Sequence, residues 1–193
     1  MAATAPATQA PHRADEPGMQ RMPLSTRQDV EDAFTWSPTS LVAVAARVRG
    51  ELVGMVAPTF ETGVSFDPPG ALLSVRSGSR TWRSLRHSRT LGISLLSEQQ
   101  GGLVRQLSSR TGDRFASLDP VETPDGAALL PGAALWLEAQ IDTEIAVGDH
   151  QLVLLAVADL RSSSEARPLI YWHRGLGRIE LAAGPAVPVT QRR

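Results

Sequence analysis

The stretch Leu135–Val147, LWLEAQIDTEIAV, together with the Gly148-Asp149-His150 that follows it, decides the fold. Leu135, Leu137, Ala139, Ile141, Ile145 and Val147 fall on one side of a two-residue repeat. Trp136, Glu138, Gln140, Asp142 and Glu144 fall on the other. Such alternation marks a long antiparallel strand with one face on a core and one in water. Gly148-Asp149-His150 then reads as a turn, and Leu152–Leu160 as the mostly apolar strand that returns from it.

Upstream, Leu41–Ala46 and Leu52–Val56 are β-compatible runs separated by a turn containing Gly50, as in a hairpin. A polar loop and the stop Asp67-Pro68-Pro69 precede a buried strand over Ala71–Val75. Proline cannot donate to a ladder, so the pair marks a strand entrance. Leu91–Leu96 and Leu169–Trp172 are further strands. The expected helices are short. One opens with a capping box at Ser25-Thr26-Arg27-Gln28, with Val30, Ala33 and Phe34 on one face. A second covers Thr81–His87. A third is capped by Ser97 with Gln100 three residues on, and Gly101-Gly102 weakens it by about 1 kcal/mol per residue relative to alanine. Many strands and few short helices, without regular strand–helix alternation, predict a mainly β barrel rather than a βαβ fold.

At 193 residues, 42% of them hydrophobic, the chain can bury one sizeable core but is short for two. We expect one domain over 25–181, after a disordered lead over 1–24 rich in Ala, Pro and Thr, with a flexible tail over 182–193. Nineteen basic and 20 acidic side chains leave a net charge of −1, which gives no general attraction to nucleic acid or anionic lipid. The absence of cysteine excludes a disulfide framework, a thiolate nucleophile and a cysteine-ligated metal. Redox chemistry would therefore need a bound cofactor. The lead lacks the compact apolar run of a signal peptide, and no apolar stretch approaches the roughly 20 residues that span a bilayer. The expectation is a soluble cytoplasmic protein with no nucleic-acid or membrane partner.

Three groups of residues bear chemistry. Arg76-Ser77-Gly78-Ser79-Arg80-Thr81 lies between a strand and a helix start, with two guanidinium groups, three hydroxyls and a flexible glycine. That composition suits a phosphate; it equally suits a solvated loop whose Thr81 caps the helix. His150 carries an imidazole available near neutral pH, for a dinucleotide or reduced cofactor, or else it and Asp149 only satisfy the turn's own backbone. Arg114 and Phe115 could stack on an adenine or hold a phosphate, or form a helix-end ion pair with a core anchor. His12, His87 and His173 have no mutual metal-ligand spacing, so no metal site is expected. No Gly-x-Ser-x-Gly elbow marks a hydrolase.

Seven segments stand in an order that resembles the flavin reductase-like family: Gly54–Phe60 (GMVAPTF), Val64–Pro69 (VSFDPP), Ser79–Trp82 (SRTW), Leu95–Gln99 (LLSEQ), Asp113–Phe115, Gly148–His150 and Pro168–Tyr171 (PLIY). They span roughly Phe34–Leu181. The resemblance implies a homodimer of FMN-binding split β-barrels of Greek-key type. Each would bind FMN, or sometimes FAD, near the subunit interface, with NADH or NADPH delivering hydride to the flavin. Many relatives supply reduced flavin to a partner monooxygenase. By matching position, Val56, Ala57, Pro58 and Thr59 lie along the isoalloxazine, and Ser79 and Thr81 near the ribityl phosphate, in the loop that also holds Arg76, Ser77 and Arg80. Arg114 and Phe115 fall in a region contributing to nucleotide binding. His150 falls beside the flavin and nicotinamide, as the candidate catalytic residue.

Two departures from the family pattern matter. Val56 and Pro58 stand where relatives commonly carry Thr or Ser, so hydrogen bonds to the ring must come from backbone groups or be absent. Phe60–Val64 is about one residue longer than usual, and Glu61 would repel an anionic reduced flavin if it faced the ring. Three readings follow: an NAD(P)H:flavin oxidoreductase, a flavin enzyme of specialised metabolism using Glu61 as acid or base on an organic substrate, and a non-catalytic flavin- or haem-binding module.

Overall fold

The structure, a computed structural model, describes residues 21–180. The expected lead therefore lies outside the described residues as far as residue 20, and the expected tail over 182–193 lies outside them altogether. Two compact units divide at Trp36/Ser37. In the first, helix α1 (Arg27–Phe34) is capped by Thr26 rather than Ser25. Thr26 Oγ1 accepts from Asp29 N at 3.1 Å and Asp29 Oδ2 accepts from Thr26 N at 2.9 Å. The box falls one residue later than expected because the short carboxylate of Asp29 suits the positive end of the helix, while Gln28 reaches forward to Asp32.

The second unit holds the strands β1 (Thr39–Ser40), β2 (Val42–Val48), β3 (Glu51–Ala57), β4 (Phe60–Phe66) and β5 (Pro69–Arg76), then helix α2 (Arg80–Leu85) and β6 (Leu91–Leu95). A 3₁₀ turn, Glu98–Gln100, leads into helix α3 (Gly101–Leu107), which begins on the double glycine itself. The chain ends in β7 (Val121–Glu122), β8 (Ala128–Leu129), β9 (Leu135–Val147), β10 (His150–Ser162), β11 (Leu169–Trp172) and β12 (Gly175–Arg178). The fold is mainly β with few short helices. One seven-stranded sheet runs β3-β2-β6-β9-β10-β5-β4, with β1-β11-β12 and β7-β8 as small separate sheets.

Arg49 and Gly50, both left-handed with φ of 52° and 87°, close the β2–β3 hairpin as the primed turns of twisted hairpins require. Gly148, with φ of 56°, opens the two-residue turn between β9 and β10. His150 pairs with Val147, so it is the first residue of β10 and not part of the turn. Pro69 begins β5, as an entrance proline should. The stretch expected as a polar loop, Phe60–Phe66, is instead the edge strand β4. Only Phe60 of it is buried, and Gly63 and Val64 bulge out between the pairs Thr62↔Ala71 and Ser65↔Gly70, so no clean alternation survives in its sequence.

β2 is buried on both faces, which explains its unbroken apolar run. Val42, Val44 and Ala46 face one cluster with Leu73, Leu91, Ile93, Leu137 and Leu155. Leu41 and Ala43 face a second with Leu96, Leu107, Leu130 and Leu169. β9 does not keep one face inward over its length. Leu155 opposes Ile141 and Leu154 opposes Thr143, leaving Asp142 without a partner. One unpaired residue exchanges the two faces of the strand beyond it. Glu144 therefore lies beside the buried Val153 and Leu73, and Ile145 and Val147 are 47% and 50% exposed. This corrects the expectation that Ile145 and Val147 share the inner face with Leu137. Among the described residues no helix is long and apolar enough to cross a membrane.

Candidate functional site

β5 ends at Arg76, and the chain turns through Ser77 and Gly78 into α2. Ser79 caps that helix, not Thr81: its hydroxyl accepts from Trp82 N at 3.1 Å. Thr81 is thereby left free for another partner. Arg76, Ser77, Gly78 and Arg80 are exposed, and the space a Cβ would fill at Gly78 is open. The β9–β10 turn lies against this loop. Ser77 N donates to the Asp149 carbonyl at 3.0 Å, and His150 pairs with Arg76 across the ladder. His150 Nδ1 stands 2.7 Å from Asp149 Oδ1. With Nδ1 donating to that carboxylate, Nε2 is an acceptor in the neutral ring and a second donor in the protonated one.

α2 is anchored by the residue that the bulge turns inward. Buried Trp82 donates Nε1–H to Glu144 Oε1 at 2.8 Å, and Arg86 pairs with the other carboxylate oxygen. The only sign of this in the sequence is Thr143, standing where the alternation from Leu135 calls for an apolar residue. The other side of α2 meets the segment after α3. Arg114 Nη1 donates to the Gly54 carbonyl at 2.7 Å and to Thr81 Oγ1 at 2.8 Å, and Nε donates to the Ser109 carbonyl at 2.8 Å. Phe115 packs into the second core cluster over Gly54, where an added Cβ would lie 2.5 Å from its ring. Asp113 Oδ1 accepts from Phe115 N at 2.9 Å, a local turn bond.

Gly54 leads to Val56–Thr59. Val56 packs against the second cluster, Ala57 is buried, and Pro58 and Thr59 are exposed, with the Thr59 carbonyl accepting from Ser74 N at 3.0 Å. Neither Val56 nor Pro58 has a side-chain donor. β3 ends the seven-stranded order, so the backbone groups on its outer edge lie outside that sheet's ladder and can serve a planar polar ring. An open loop of hydroxyls and arginines, linked through Thr81 and Arg114 to the terminal strand β3, fits a phosphate-bearing aromatic cofactor. Glu61 opposes Leu72 and lies on the face of β4 away from Phe60. Two open clefts of about 520 and 590 Å³ flank Glu98 and Arg178; residues of the Leu95–Gln99 and Pro168–Tyr171 segments line them, but none of the candidate cofactor-binding residues does. Among the described residues no three His, Asp or Glu side chains stand close enough to hold a metal ion.

Known proteins resemble this chain along most of its length. The flavin reductase of Pseudomonas putida is 28% identical, over 72% of this chain and 82% of its own length. An NADH:FMN oxidoreductase of Rhodococcus qingshengii is 33% identical, over 76% of this chain and 78% of its own. The solved styrene monooxygenase flavin reductase from Pseudomonas putida S12 has a TM-score of 0.70 at 26% identity, covering 80% of this chain and 99% of that one. Residues 35–180, which carry both the sheet and the loop-and-turn site, match the flavin reductase like domain, and the chain belongs to that family.

Proposed function

We propose that this protein is an NAD(P)H-dependent flavin reductase that binds FMN, or alternatively FAD, and supplies the reduced flavin to a partner monooxygenase in the cytoplasm. The observation that carries this reading is the contact of the β9–β10 turn with the β5–α2 loop through Ser77 N and the Asp149 carbonyl. It puts His150 beside Arg76 and Ser77, so phosphate-suited side chains and an imidazole share one locus. When bound, the flavin supplies the hydride chemistry, and the protein supplies binding, orientation and electrostatics. Arg76, Ser77, Ser79, Arg80 and Thr81 hold the phosphate. Val56–Thr59 lie along the ring, with backbone groups in place of side-chain donors. His150, its Nδ1 held by Asp149, presents Nε2 to the nicotinamide.

The same reading covers the split-barrel homodimer. Ile145, Val147, Leu152, Leu154 and Leu72 share one face through their ladder pairs, and His150 lies on it opposite Val147. A second copy covers that face and brings its own surface to the histidine.

Anaerobic mixing of the protein with NADH and FMN tests the activity, and flavin absorbance is expected to bleach. His150→Ala is expected to lower kcat/KM for the nicotinamide by about 10- to 100-fold while FMN binding stays near wild type. If neither NADH nor NADPH bleaches the flavin, the proposed activity is wrong.

A further inference from the structure

Arg114 joins two parts of the chain that are far apart in sequence. It stands 33 residues from Thr81 and 60 from Gly54, yet its Nη1 bonds to both. Gly54 leads into Val56–Thr59, and Thr81 sits in the first turn of α2, directly after the exposed loop. The main chain that carries the guanidinium is itself held. Gln106 Nε2 donates to the carbonyls of Arg114 at 3.1 Å and Ala116 at 2.8 Å, and the Phe115 ring lies on Gly54.

A threonine hydroxyl has one O–H donor and two lone pairs. Accepting from Arg114 occupies one lone pair and turns the hydroxyl proton away from the cation. Thr81 therefore keeps its O–H as a donor, with a positive charge one hydrogen bond behind it. An anion that takes this O–H gains from both. Nη1 uses both of its hydrogens on Gly54 and Thr81, and Nε uses its one on Ser109. A lysine ammonium cannot reproduce a fork of two nitrogens serving three oxygens.

Building on the flavin reading above, we propose that Arg114 is a positioning residue for flavin binding. It orients the Thr81 hydroxyl as a donor to the flavin phosphate and ties α2 to the strand that bears the ring segment, without itself touching the flavin. Its lack of direct contact separates it from a phosphate-binding arginine.

The test compares wild type with Arg114→Lys, Thr81→Val, Thr81→Ser and the double variant Arg114→Lys/Thr81→Val. FMN affinity is read by quenching of flavin fluorescence, turnover at saturating FMN, and amide hydrogen exchange in the flavin-free protein. Arg114→Lys and Thr81→Val are each expected to weaken FMN binding by about tenfold, the size of one charge-assisted hydrogen bond. The double variant should be weaker than either single one by no more than about twofold, because both remove the same link. Thr81→Ser, which keeps the hydroxyl, should recover most of the FMN affinity that Thr81→Val loses. Exchange should quicken in Arg114→Lys both along Met55–Ala57 and in α2.

Multiplicative losses in the double variant would overturn the proposal in favour of a direct arginine–phosphate contact. Unchanged FMN affinity in Arg114→Lys would overturn it in favour of a purely structural link. Wild-type protein that binds no FMN would remove the flavin reading and the proposal with it. That outcome is told apart from failure of the link because exchange in the flavin-free protein reads the link alone.

Discussion

Leu135–Ile141 and Thr143–Val147 are two halves of one strand, alike in their alternation and opposite in their burial. In the first half, Leu137 and Ala139 are buried and Gln140 is exposed. In the second, Ile145 and Val147 are exposed and the carboxylate of Glu144 is turned inward onto Trp82. The difference comes from Asp142, which has no partner on β10. Alternation within a strand reports that a strand exists. Which of its faces is covered depends on the register of the ladder, and one unpaired residue reverses it. Here the reversal places a carboxylate under α2, which carries Thr81, and an apolar patch beside His150.

Substitutions on the two halves can break this contrast. Leu137→Ala is expected to cost about 2–5 kcal/mol in urea unfolding, through lost transfer free energy and the cavity left behind. Ile145→Ala, the same kind of truncation three residues past the bulge, should change stability by about 0.5 kcal/mol or less at a concentration that keeps the chain monomeric. Its effect should appear instead as weaker self-association in sedimentation. Equal stability losses at the two sites would mean that β9 keeps one face inward throughout.

Glu144 sharpens the comparison. Glu144→Ala leaves the Trp82 indole N–H buried without its acceptor, a loss of about 1–3 kcal/mol. Glu144→Gln retains an oxygen for that donor and should lose less. If Ala and Gln at position 144 are indistinguishable from wild type by thermal unfolding, the inward carboxylate does not anchor α2.

The smallest effect is expected at an exposed carboxylate, Glu122 on β7. Its hydrogen bond from Arg47 holds its carboxyl below the usual glutamate range, and the same bond raises the Arg47 guanidinium. A folded value below the unfolded one gives stability that is present above the unfolded value and lost as the pH falls through the folded one. The melting-temperature gap between wild type and Glu122→Gln should thus exist at pH 7 and close in acid. It should remain smaller than the gap for Glu144→Ala, because both partners of this pair stand partly in water, 40% and 33% exposed. A gap that widens in acid would contradict the pairing.

How much could be read from the residues varied with how local the cause was. The β2–β3 hairpin was legible because Gly50 and the flanking apolar runs are adjacent, and Pro69 marked the start of β5 by its own chemistry. β4 was not, because an edge strand with one buried residue and a two-residue bulge leaves no period to detect. The site was legible as residue types: hydroxyls and arginines over Arg76–Thr81, a histidine after Gly-Asp. Its assembly was not, since the cap fell on Ser79 rather than Thr81, and Phe115 proved to be packed over Gly54.

By itself, the sequence determined that this chain forms antiparallel strands with short helices, carries no thiol chemistry and places phosphate-suited side chains between a strand and a helix. Those follow from local propensities, turn geometry and composition, which each residue carries wherever it lies. Only the tertiary structure decided that Glu144 faces Trp82, that Ile145 and Val147 face outward, and that Arg114 meets both Thr81 and Gly54. Ladder register and long-range hydrogen bonds are settled by partners tens of residues away, and no window along the chain contains both partners.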